Sequence, residues 1–155
     1  MVDIDSLSLL GPLLEMHPLA SAMPELLPRG RASKEVLTVA EELAKDLPSD
    51  LLRAGVWLYV DDLDRSHAIS QGLHSPEGSF WHAIMHRREG DFSNSKYWLR
   101  QAGATPFELE SYDPREFVDQ VAAAGGKNPA DLLDTQRREW LAMFAHCAAK
   151  DVGSG

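Results

Sequence analysis

A chain of 155 residues with 44% hydrophobic and 25% charged side chains holds enough apolar material for one packed domain, and its composition is not that of a disordered chain. Its net charge of −9 argues against a general nucleic-acid binder, because neutralising phosphates takes an excess of Lys and Arg. A single cysteine, Cys147, excludes an intrachain disulfide and fits a reducing compartment.

The N-terminal "MVDIDSLSLL" has no basic stretch ahead of its short apolar run and does not read as a signal peptide. The longest apolar run, "AGVWLYV", is too short to span a bilayer. A cytoplasmic protein with neither a nucleic-acid nor a membrane partner is expected. Residues 1–32 are rich in Leu and Pro, with prolines too frequent for a long helix. They are expected to form an irregular segment packed on the core, or to meet a second copy as the contact of a homo-oligomer.

From Ser33 the punctuation is helical. Val36, Ala40, Leu43 and Leu47 recur at three and four until Pro48 stops the run. Ser49 and Asp50 cap a second helix that should reach about Gly72. Ser75-Pro76 places Ser at the N-cap and Pro at the first helical position of a third, ending at Gly90. A fourth covers roughly 94–102, with Gly103 after it. "DPRE" at 113–116 is a capping box opening a fifth, which stops at Gly125-Gly126. Asn128-Pro129 opens the last, with Leu133, Trp140 and Phe144 on one side. The fold expected is all-α, a single-domain bundle of about six helices over 33–150, with 151–155 as a flexible tail.

Charge is unevenly placed. Residues 1–50 hold nine acids and four bases and residues 101–155 nine and five, while residues 51–100 hold six of each. That neutral third also carries four of six histidines and three of four tryptophans, so a working site is sought there. His82 and His86 share one helix face, which Glu89 extends. His67 continues the inward stripe of the preceding helix, with Asp64 beside it. A His-x-x-x-His pair plus a histidine from a neighbouring helix suits a divalent metal such as Zn, Fe, Mn or Ni, with Asp64 or Glu89 as a further ligand or as an orienting group. The competing reading has the same histidines hydrogen-bonded to Asp64, Glu89 or backbone within a polar part of the core.

Arg87, Arg88, Asn94, Lys96 and Arg100 cluster around the turn "EGDFSNS". A helix N-terminus flanked by arginines can hold a small anion. Alternatively, Glu89 and Asp91 pair with these arginines as internal bridges, the basis of a non-catalytic module. Asp61 and Arg65 are expected to pair on a solvated face, and His17 and His146 to be incidental.

The run "YVDDLDRSHAISQGLHSPEGSFWHAIMHRREGDFSNSKYWLRQAGATP" resembles the core segment of a family of uncharacterised bacterial and fungal proteins with the signature "YWHAIMHRREPDFSNAKYW". The chain departs from it at Gly90, where that pattern has Pro. The resemblance implies a shared site around His82–Trp98. More distantly, three histidines on helices, two of them as HxxxH, are similar to the pattern of DinB-like metal-binding bundles.

Overall fold

The computed structural model describes residues 7–153, with side chains through residue 150. Residues 1–6 of the N-terminal segment, and 154–155, lie outside the described residues. A 3-10 turn at Ser8–Leu10 leads into α1 (Gly11–Met16), followed by α2 (Lys34–Lys45), α3 (Asp50–Tyr59) and α4 (Leu63–Ser70). Then come α5 (Pro76–Glu89), α6 (Phe92–Ala102), α7 (Pro114–Ala123) and α8 (Ala130–Gly153). The described residues are thus all-α, with eight α-helices where the sequence suggested about six. No helix among them is long and apolar enough to cross a membrane.

The starts lie at the anticipated side chains. Ser33, Ser49, Ser75 and Asp113 each accept a hydrogen bond from a backbone N–H of the first turn, as N-caps do. Asp91 opens α6 two residues earlier than expected by the same device. α8 continues to Gly153, into the stretch read as a flexible tail.

The single helix expected from Asp50 to about Gly72 is two helices. The Asp61 N–H donates to Leu58 O and the Asp62 N–H to Trp57 O, the paired bonds of a Schellman C-cap. Asp61 sits in the left-handed region at φ 62°, where Asp is tolerated better than most side chains. Asp62 then caps α4 by accepting from Arg65 N. α5 ends with the same pair of bonds, Gly90 N–H to Arg87 O and Asp91 N–H to His86 O, with Gly90 at φ 88°.

The leading segment lies on the core. Leu10, Leu13, Ala22, Met23 and Leu26 are all at most 1% exposed. Between α1 and α2 the chain makes little regular structure, so its buried carbonyls need outside donors. Tyr59 supplies its hydroxyl to His17 O, Arg137 Nε reaches Ala22 O, Gln136 Nε2 reaches Met23 O and Glu25 O, and Arg88 reaches Glu25 O. Leu10, Leu13 and Leu26 are thus part of the core, while Leu9 and Met16 of the same segment are exposed.

The core closes where α3, α5 and α8 meet. A Cβ added at Gly55 would come 2.7 Å from the Trp81 ring, and Trp140 Nε1 donates to Gly55 O. Two buried serines set the neighbouring helices: Ser66 Oγ bonds Ala54 O, holding α4 on α3, and Ser95 Oγ bonds Ala83 O, holding α6 on α5.

Candidate metal centre

α5 is covered on every side; each residue from Glu77 to Arg88 is buried. His82 and His86, one turn apart, stack with ring centroids 4.8 Å apart and planes 18° from parallel. Ser66 fixes α4 so that the adjacent His67 turns its ring edge to both, at 4.9 Å from His82 and 5.5 Å from His86. One ring nitrogen from each of the three lies within 4.8 Å of the others. Ser95 does the corresponding work for α6, whose Trp98 stacks on His82 at 4.0 Å and 13°.

Polarity is graded across the cluster. His82 is 3% exposed, and its Nδ1 is buried with no hydrogen-bond partner. Burial, and then the neighbouring His86 and His67, push its pKa down to about 4, so the ring is neutral at pH 7. His86 Nδ1 lies 2.6 Å from Glu89 Oε1, and Glu89 is partly open to solvent. The carboxylate thus fixes the orientation of the imidazole, leaving the other nitrogen to the cluster. Asp91 joins the outer side, forming with His86 and Glu89 a second group within 4.8 Å. Its carboxylate is held below the usual range, chiefly by hydrogen bonds from the Asn94 side chain and backbone.

Of the two candidate carboxylates, only Glu89 belongs to the cluster. Asp64 is exposed on α4 and lines a separate hollow with Pro28–Arg31 and Asp61–Leu63. Asp64 stands in the first turn of α4, beside the α3–α4 break, and is exposed there.

The five anion-site candidates do not converge. Arg87 is buried and forks onto Glu139 at 2.8 and 3.0 Å, above the Phe117 ring. Tyr112 donates its hydroxyl to the same carboxylate. Arg88 is buried too, bonding Asp61 Oδ1, Leu58 O and Glu25 O. Burial pushes the Asp61 carboxyl up and the Arg88 guanidinium down, and their mutual attraction opposes both shifts. Lys96 pairs with Asp119 at 2.6 Å, Asn94 Nδ2 donates to Asp91, and Arg100 lies over Tyr97. The solvated Asp61–Arg65 pair is likewise absent: Asp61 turns inward to Arg88, and Arg65 lies over the Trp57 ring.

Sequence reasoning left out three contributors. Trp98 stands on an apolar stripe, and nothing local marks it as the wall of a histidine cluster. Ser66 and Ser95 look like ordinary helix residues until their carbonyl partners are seen. His146 is engaged rather than incidental, since it and Lys150 hold the buried Glu77 from α8 at 3.0 and 2.8 Å. A cavity of about 670 Å³ between Phe107–Glu110 and α8 is lined by none of the clustered histidines. No family profile matches the chain, and neither the curated proteins nor the solved structures yield a match.

Proposed function

We propose that the chain binds one divalent transition metal through His67, His82 and His86, with Glu89 orienting His86. The observation that carries this reading is the convergence of three imidazoles from two helices, their nitrogens within 4.8 Å, around the neutral, buried His82. A tetrahedral ion with bonds of 2.0–2.1 Å needs nitrogens roughly 3.3 Å apart, so small rotations of the rings close the set. An unpartnered buried nitrogen such as His82 Nδ1 costs about 1–3 kcal/mol, which coordination through it removes. An all-imidazole set suits Zn, Fe, Ni or Cu better than Mg or Ca.

Three protein ligands leave a coordination position open, and an ion so held acidifies bound water near neutral pH. A metal-dependent enzyme is therefore the favoured activity class. An anionic substrate is not carried with it, because Arg87, Arg88 and Lys96 are engaged by Glu139, Asp61 and Asp119.

The test is elemental analysis of untagged protein beside His82→Ala and the more accessible His67→Ala, with circular dichroism as a folding control. About one equivalent of Zn, Fe, Mn, Ni or Cu in the wild type, lost in both folded variants, is expected from a three-histidine site. A folded wild type that carries no metal and takes up none when each is added overturns the proposal.

A further inference from the structure

Next to the histidines is a cavity of about 370 Å³, within the usual size range of small-molecule sites. It shares its wall with the cluster. Trp98, the ring stacked on His82, lines it, and so does Ser79, one helical turn before His82 on α5. Gln71, four residues after His67, lines it from the end of α4. The pocket therefore opens on the side of the cluster facing the α4–α5 connection, while Glu89 and Asp91 occupy the other end of α5.

The lining has a distinct chemistry. It contains no Asp, Glu, Lys or Arg; its polar groups include the Gln71 and Gln101 amides, the Ser79 hydroxyl and the His74 imidazole. Each of these can serve as both donor and acceptor or presents one of each. Tyr97 and Trp98 add two rings nearly perpendicular to one another, at 5.2 Å and 84°. Arg100 lies over Tyr97 but does not line the cavity. A charged ligand group would lose hydration here without gaining a counter-charge. A ring bearing hydroxyls suits both halves of the lining, its C–H face against Trp98 and its hydroxyls among the amides.

We propose that this pocket binds an uncharged, hydroxylated ring of the sugar class. The proposal rests on the metal reading only for what stands beside the bound ring. Trp57, Trp81 and Trp140 are at most 6% exposed whereas Trp98 is half-buried, so acrylamide quenching of the protein's fluorescence reports chiefly on this wall.

The experiment titrates the full chain, with its metal content measured in parallel. The probes are methyl glycosides of glucose, galactose, mannose and N-acetylglucosamine, followed by glucose 6-phosphate and glucuronate. At least one methyl glycoside protects Trp98 with a Kd of about millimolar order, and Gln101→Leu, at an exposed position, weakens it about fivefold. Protection by none of the glycosides, or equal protection by the charged sugars, overturns the proposal. Protection in a chain that holds no metal and takes up none when each is added supports the pocket and discards the metal reading. Bound metal without protection does the reverse.

Discussion

Arg88 shows what a charged residue can do without touching a ligand. Its side chain is 1% exposed, and it links Asp61 at the α3–α4 break, the last turn of α3 and the leading segment at Glu25. Arg88→Leu leaves the Asp61 carboxylate buried without its counter-charge, while Leu58 O and Glu25 O each lose one donor and keep the Asp61 N–H and the Gln136 amide respectively. A loss of about 3–5 kcal/mol is expected, read as a fall in the urea midpoint. Glu89 is the opposite case, partly exposed and acting on His86 alone. Glu89→Gln is expected to leave the urea midpoint unchanged and to weaken metal affinity about 10- to 100-fold, measured against a chromophoric chelator. Equal affinity in the two proteins would show that the carboxylate has no part in orienting the ligand. His82 and His86 were legible as a pair because a spacing of four is a property of one helix. Arg87 and Arg88 were legible as candidates for internal bridges, but not their partners, because Glu139 and Asp61 are brought to them by tertiary packing that no local pattern announces.

At the scale of elements, the two Schellman turns explain which boundaries the sequence discloses. The turn after α5 uses Gly90, and glycine at a left-handed position is a signal that reading by residue type finds. The turn after α3 uses Asp61, whose side chain gives no such signal directly after the continuous apolar run "AGVWLYV", so two helices read as one. The docking of α8 on the start of α5 is a matter of charge. Burial raises the Glu77 carboxyl, but hydrogen bonds from Lys150 and His146 more than offset this and hold its pKa down to about 2, against an ordinary 4.5. Between those values the unfolded chain binds a proton that the folded chain refuses. The stability from this contact is therefore complete above about pH 4.5 and drains away as pH falls toward 2. On the order of 2 kcal/mol is at stake once the partial exposure of both partners is allowed for. Urea midpoints of wild type and Glu77→Gln should converge between pH 5 and pH 2.5; a constant gap would place the stabilisation elsewhere.

For the whole molecule, the helical class and most starts were readable because caps and apolar spacing are local. The arrangement of the site was readable only in part. His67 does reach the pair, yet through a helix of its own rather than as the continuation of α3, and Asp64, in the first turn of that same helix, stays exposed. The ties across the chain were not readable at all. Gln136 and Arg137 of α8 secure carbonyls of residues 22–25, more than a hundred positions earlier.

Those distant ties contrast with the histidines, which fall between positions 67 and 86 on two helices joined by residues 71–75. Local contacts form early, because little loop entropy must be lost to make them. The cluster can thus assemble before α8 and the leading segment lock the domain, and on the proposed metal reading an ion captured at that moment would hold α4 and α5 together while the rest arrives. Metal would then enter as a folding nucleus: Zn(II) should raise the refolding rate of chelator-stripped protein measurably, with His67→Ala indifferent to it. An effect confined to the unfolding rate would place capture after the domain has closed.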